Sequence, residues 1–427
     1  MTDVAHRATD RYATRGDLVL VLNCGSSSIK FALFDAGQDP LPHTPVWNGK
    51  VQGIGGPAPT YGETGSAPHA IELDAQHPNT AALALIRERV EARLDGRRLA
   101  AVAHRVVHGG NRYFAPTKVD AGVIADLRAL IPLAPLHQPF PLKAMSLLLE
   151  QRPDIAQVAC FDTAFHHTLP KVEQQLPLPH AYWDHGLRRY GFHGLSYDYM
   201  ASVLPARHGE LARGRVIVAH LGSGASLCAM QGLESVATTM GFSALDGLMM
   251  GTRTGALDPG AVLYLMEIEK LSLDEVGTLL YHQSGLLGVS GLSPEPRVLQ
   301  PLEARDDADG ARAREALALY VRRIVREIGA LVAVLGGLDL LVFTAGVGEH
   351  CAFVRERVCA ALGFLDIALD TDANAADAPL ISAAGSRVAV GVEPTNEEWV
   401  AARDALAVLG LSARGATPAP SHAARES

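Results

Sequence analysis

Paired cysteines are missing from this chain of 427 residues. Cys24, Cys160, Cys228, Cys351 and Cys359 are scattered, with no C-x-x-C and no repeated spacing. That excludes a disulfide framework and a zinc ribbon and fits a reducing compartment. No apolar run approaches the length of a membrane span, and the N-terminus has no apolar core of a secretory signal. A cytoplasmic protein without a membrane anchor is the expectation. An excess of basic residues is also absent: the net charge is −9, which argues against nucleic acid as a partner. G-x-x-x-x-G-K-[ST], G-x-G-x-x-G and H-E-x-x-H do not occur. P-loop enzymes, protein kinases, dinucleotide oxidoreductases and zincin hydrolases are disfavoured accordingly.

What is present begins at Asp17–Asp35, DLVLVLNCGSSSIKFALFD. The apolar run Leu18–Leu22 predicts a buried strand, and Ile29–Phe34 resumes it around one cation, Lys30. Between them, Asn23 to Ser28 gathers a glycine and three hydroxyls in a turn suited to a phosphate. An ordinary serine-rich hairpin is the alternative for such a turn. Val216–Met230, VIVAHLGSGASLCAM, repeats the plan. Superposing Gly25 on Gly222 aligns both apolar runs, with Asn23 and His220 equivalent. Two halves of duplicated architecture, each with a phosphate-facing hairpin, are the expectation.

Residues 1–16 and those from about Arg414 lack periodicity and predict a loose extension and a disordered tail. Residues 36–78 read as a β-meander, and Asn79 is expected to cap a helix running to about Leu94. A strand over Leu99–Val107 delivers His104-Arg105-Val106-Val107-His108-Gly109-Gly110. Further helices are expected over Leu127–Leu133 and Pro141–Gln151. A strand over Ile155–Phe161 ends in Asp162, where open α/β sheets place their ligands. Ala311–Leu335 predicts a long amphipathic helix. Asp339–Thr344 feeds Ala345 to His350, a glycine turn suited to a nucleotide. Thr395 and Glu398 have capping-box spacing, which leaves Glu397 for other work.

Arg105 and Arg253 each sit in a Gly-rich stretch after an apolar run. Either could be a surface ion pair; beside two phosphate-type turns they suggest a clamp for a carboxylate or a phosphoryl group. Asp162 is an N-cap or turn residue in the plain reading, and in the functional one a carboxylate that orients a nucleophile or helps hold Mg²⁺. His104, His108, His137, His166, His167 and His193 are better read as neutral hydrogen-bond donors than as ligands of a transition metal.

Taken in order, NCGSSSIKF, HRVVHGG, PLHQP, FDTAFHHTLP, RRYGFHGLS, HLGSGASL, GLMMGTRTGALDPG, FTAGVGEH and PTNEE make the chain from Leu18 to Trp399 resemble the acetate kinases. That family belongs to the acetate and sugar kinase, heat-shock-70 and actin superfamily. The resemblance implies an α/β fold of two duplicated ribonuclease-H-like domains with an active-site cleft between them. The first would span 17–166 with 399–413, and the second 167–398. It implies reversible in-line transfer, ATP + acetate to ADP + acetyl phosphate, with Mg²⁺ (Mn²⁺ able to substitute), and a homodimer.

Carried over by residue, Asn23 and Glu397 would hold the metal, and Lys30, Ser26 and Ser28 would face the phosphates. Arg105 would bind the carboxylate, with Val107, Leu136, Phe192 and Ala244 around the methyl group. His193 and Arg253 would stabilise the transition state. Asp162 would be the catalytic carboxylate, a proton donor or acceptor by the resemblance; since an ionised carboxylate substrate has no proton to surrender, we read it as positioning acid and metal. His220, Leu221, Gly222, Ser223 and Gly224 would contact the nucleotide. So would Glu295, Pro296 and Arg297, and Gly346, Val347, Gly348, Glu349 and His350. Ser223 stands where many members have Asn, Glu295-Pro296-Arg297 replaces Asp-Phe-Arg, and His350 replaces Asn. Ala244 stands where a proline is common, so propionate is a second candidate substrate. A kinase for another short carboxylate and a non-catalytic nucleotide switch are the competing classes.

Overall fold

The structure, a computed structural model, describes residues 16–135 and 137–411. The N-terminal extension before Gly16, the tail and Leu136 of the expected methyl pocket lie outside them. The chain divides into two compact units, one running to Ala164 and resuming at Asn396, the other Phe165–Thr395.

In the first unit β1 (Leu18–Cys24) and β2 (Ser28–Asp35) form the expected hairpin, closed by the Gly25 N–H on the Ser28 carbonyl at 2.8 Å. β3 (Trp47–Gln52), β4 (Thr60–Glu63) and β5 (His69–Ala70) extend it as an antiparallel meander. On the other side of β1, β6 (Leu99–Val106) and β8 (Ala156–Phe161) run parallel, and β7 (Thr117–Lys118) closes the edge. The order is β5-β4-β3-β2-β1-β6-β8-β7. Leu18 to Leu22 are all buried, as expected of a strand covered on both faces. Leu20, Leu22, Phe31 and Leu33 pack with Ala82, Ile86 and Val90 of the helix Pro78–Arg93. The helix Glu397–Leu409 returns to pack against β1, β2, β6 and β8 of the same unit.

The second unit holds β9 (Arg215–Leu221), β10 (Ala225–Gln231), β11 (Glu234–Thr238), β12 (Leu340–Thr344) and β13 (Ala389–Val392). Their order is β11-β10-β9-β12-β13, with β9, β12 and β13 parallel. Counted within the unit this is 3-2-1-4-5, the same order and sense as β3-β2-β1-β6-β8. The duplication expected from two similar hairpins is therefore a repeat of the whole sheet. In register, His220 opposes Ser226 where Asn23 opposes Lys30. The helix Ala308–Leu335 buries Leu317, Tyr320, Ile324 and Ile328 at helical spacing, against β9, β10 and β11.

Several element boundaries differ from expectation, each for a local reason. Pro78 opens its helix at N1, so Asn79 lies inside and caps nothing. Asp120 accepts the Val123 N–H and starts a helix at Ala121, where the apolar pattern suggested Leu127. The third helix begins at Pro139 rather than Pro141. At the last helix Asn396 is the cap, accepting the Trp399 N–H, so Thr395 and Glu398 form no capping box. No helix among the described residues is long and apolar enough to cross a membrane.

Candidate active site

At the C-terminal edge of β1, β6 and β8, three adjacent parallel strands bring Asn23, Arg105 and Asp162 to one end of the first sheet. Arg105 lies within β6, not in the glycine loop after it. Its Nε donates to both Asp162 oxygens at 3.0 and 3.1 Å, and Nη2 to Oδ2 at 2.9 Å. Nη1 meets Glu397 Oε2 at 2.6 Å, on the first turn of the returning helix. Burial opposes the charge on Arg105, but the Asp162 and Glu397 carboxylates outweigh it and hold the guanidinium above its ordinary range. Burial pushes the Asp162 carboxyl up to about 6; Arg105 opposes that shift and Glu397 adds to it. One cation is thus shared by two carboxylates, which leaves the cluster net negative.

The loops beside this cluster are tied through backbone. Gln138 accepts the His108 N–H at 3.2 Å and donates to the His108 carbonyl at 3.0 Å, joining PLHQP to HRVVHGG. His108 Nδ1 accepts the Gly110 N–H at 2.9 Å. His104 donates from Nε2 to Gln157 Oε1 at 2.8 Å. Burial holds both imidazoles down, at about 4, and therefore neutral. Val107 follows β6 half-buried, Ser26 and Lys30 are exposed, and Ser28 is half-buried on the hairpin.

In the second unit the groups converge on the turn between β9 and β10. His193 caps the helix Gly194–His208 from a left-handed backbone (φ 60°), a strained conformation for a residue other than glycine. Its ring stacks on His220, centroids 4.1 Å apart. A Cβ added to Gly224 would stand 3.1 Å from His193 Nε2 and 3.6 Å from Arg253 Nη1, so both nitrogens border the space over that glycine. Arg253 Nη1 donates to the Ala244 carbonyl at 3.0 Å. Burial lowers its pKa, and among the described residues no carboxylate pairs with it.

After β12, Ala345 to His350 is a short helix rather than a loop, entered through a left-handed Ala345 (φ 64°). Glu349 Oε1 accepts the N–H groups of Ala345 at 2.8 Å and Thr395 at 3.1 Å, a structural duty sequence did not suggest. His350 lies 3.5 Å from Asp377 and 3.7 Å from Glu349. Pro296 is buried at the start of the helix Pro296–Leu299, with Glu295 and Arg297 exposed beside it. Arg355, missed by sequence reading, is fully buried and holds the carbonyls of Gly348 and Glu349 at 2.9 and 2.8 Å. Phe192 is buried, and its carbonyl accepts from His166 Nε2 at 3.0 Å.

A divalent cation of the Mg²⁺ type is consistent with the first cluster: Asp162, Glu397 and Asn23 offer only oxygen donors suited to it. Among the described residues no group of three or more His, Cys, Asp or Glu could hold a metal by itself. Two carboxylates suit an ion that keeps most of its water and takes oxygens from its substrate.

A five-strand order used twice, with a glycine turn between the first two strands of each copy, is a duplicated ribonuclease-H-like plan. The chain belongs to the acetokinase family, whose sequence model matches residues 18–403. It is 48% identical over 393 residues to an acetate kinase of Rhodopseudomonas palustris (strain TIE-1), covering 91% of this chain and 97% of that one. An acetate kinase of Methylocella silvestris is 46% identical over 401 residues, covering 92% and 98%. Among solved structures, a propionate kinase from Francisella tularensis superposes with TM-score 0.83 at 32% identity, covering 91% and 98%. The Porphyromonas gingivalis acetate kinase gives 0.80 at 35%, covering 92% and 100%.

Proposed function

We propose that this protein is a kinase for acetate, moving the terminal phosphoryl group of ATP to the carboxylate and back by direct in-line transfer. The observation that carries this reading is Arg253, a half-buried guanidinium whose pKa desolvation lowers and which has no carboxylate partner among the described residues. A partly desolvated cation is stabilised by an anion that meets it, and a transferring phosphoryl group is such an anion. His193 Nε2 borders the same space and adds a second donor. Arg105 binds the substrate carboxylate in this reading, and Asp162 keeps that guanidinium in plane. Glu397 and Asn23 would hold Mg²⁺, which when bound would neutralise charge on the phosphates. Lys30, Ser26, Ser28 and the Gly222–Gly224 turn face the phosphates, and the Gly346–His350 and Glu295–Arg297 segments take the nucleoside.

Propionate is a second substrate in this reading. Ala244 puts one methyl group where a larger side chain would narrow the acyl pocket, and one methylene is worth about 1–3 kcal/mol there. The deciding measurement is ADP formation from Mg-ATP with acetate, propionate and butyrate, trapping acyl phosphate with hydroxylamine. Acetate turnover with propionate trailing supports the assignment. ATP binding with no acyl phosphate from any acid would sink it.

The protein acts as a cytoplasmic homodimer. All five cysteines are buried and none is in a disulfide, as a reducing compartment allows. The helix Pro259–Glu267 buries none of its side chains, and Leu263, Tyr264, Ile268 and Leu273 stand 53–73% exposed around it. Such a patch suits a second copy. Leu263→Asp should turn the dimer seen by sedimentation into monomer; an unchanged dimer would place the interface elsewhere.

A further inference from the structure

We infer that Ser226 and Tyr197 are positioning residues that fix the tautomer of His193, so that Nε2 carries the proton offered to the transferring phosphoryl group. The inference rests on His193 facing that group. His193 Nδ1 lies 2.8 Å from Ser226 Oγ, and Ser226 Oγ lies 2.5 Å from the Tyr197 hydroxyl. Ser226 and Tyr197 are both fully buried. Ser226 has a single proton to give. Of the two hydroxyls the phenol is the more acidic, hence the better donor, and the alkyl oxygen the better acceptor. Tyr197 therefore donates to Ser226, Ser226 donates to Nδ1, and the imidazole proton resides on Nε2.

The arrangement recurs beside it. Thr395 Oγ1 donates to Ser196 Oγ at 2.8 Å, which leaves the Ser196 proton for His220 Nδ1 at 2.9 Å. His166 repeats it with an independent check. Its Nε2 meets the Phe192 carbonyl, which can only accept, so Nδ1 accepts from Ser235 at 2.8 Å. Local geometry builds the device. Tyr197 is four residues after His193 on the first helical turn, its N–H on the His193 carbonyl at 3.1 Å. Ser226 is the cross-strand partner of His220, on the same face of the sheet.

The test combines kinetics with long-range ¹H–¹⁵N correlations on histidine-labelled full-length protein, using His193→Gln to assign the His193 signals. In the native protein the His193 signals should be those of a neutral ring protonated at Nε2. Ser226→Ala should mix the tautomers and lower kcat about ten- to hundredfold, the usual scale for losing a partner that orients a functional histidine. KM for acetate and ATP should stay within about threefold. Tyr197→Phe, which keeps the ring and its packing, should act the same way but more weakly, and remains informative if Ser226→Ala does not fold. A native His193 protonated at Nδ1 would overturn the proposal. So would full kcat in both variants while His193→Ala is crippled, and that result would leave the role of His193 standing. Full activity in His193→Ala would instead remove the reading of His193 itself, and the proposal with it.

Discussion

Arg105 and Arg253 carry the same charge into opposite surroundings. Arg105 shares its fork between Asp162 and Glu397, whereas Arg253 is half-buried, donates to the Ala244 carbonyl and the Met250 thioether, and meets no carboxylate among the described residues. Removing them should therefore have different signatures. Arg105→Ala should raise KM for acetate at least about tenfold and lower turnover while ATP affinity stays within about threefold, measured by calorimetry. Loss of ATP binding would mean that the arginine does not serve the acid. Arg253→Ala should leave both substrates bound and lower kcat by about a thousandfold, the scale of an arginine that meets charge in the transition state. Both arginines were legible because each follows an apolar run and borders glycines. The partners of Arg105 were not, because a carboxylate 57 or 292 residues away leaves no local signal. Ser226 left only a faint one, a hydroxyl inside an apolar strand.

At the scale of elements, the sequence FTAGVGEH reads as a turn because two glycines suggest one, and the chain makes a helical turn of it. Capture of two N–H groups by Glu349 and of two carbonyls by Arg355 supplies what the local residues lack. Arg355 also donates to the Asn374 side chain at 2.8 Å and pairs with Asp377. Arg355→Met should cost about 3–5 kcal/mol, since it strands carbonyls and a carboxylate that the guanidinium now satisfies. KM for ATP should rise before KM for acetate changes. An undisturbed melting temperature and ATP affinity would show that this buried network holds nothing. The Asn396 cap, displacing the expected Thr395 box, has a similar moral: capping is decided by which side chain reaches the N–H groups, not by spacing alone.

For the whole molecule, the buried histidines set the response to acid. His104, His108 and His166 are held at about 4 by burial, against about 6.5 in an unfolded chain. Between these values the unfolded state binds more protons, so each histidine makes stability rise with pH. Asp162, raised to about 6, works the other way as pH climbs from about 4 to 6, because there the folded state holds the extra proton. Three protons against one leave a net gain, steepest near pH 5 at roughly 2–3 kcal/mol per pH unit and flat above about 7. Urea midpoints at pH 5, 6, 7 and 8 would show it; a midpoint that holds on acidification would mean these imidazoles are not buried neutral. By itself the sequence determined the two hairpins, the duplicated α/β plan and which residues are candidates for phosphoryl transfer. Strand periodicity and glycine turns are local, and local patterns survive in one dimension. Only the tertiary structure decided which arginine is neutralised, which serine turns which histidine, and what holds the Ala345–His350 turn. Those outcomes depend on distances between residues far apart in the chain, and burial there converts a polar contact into a requirement.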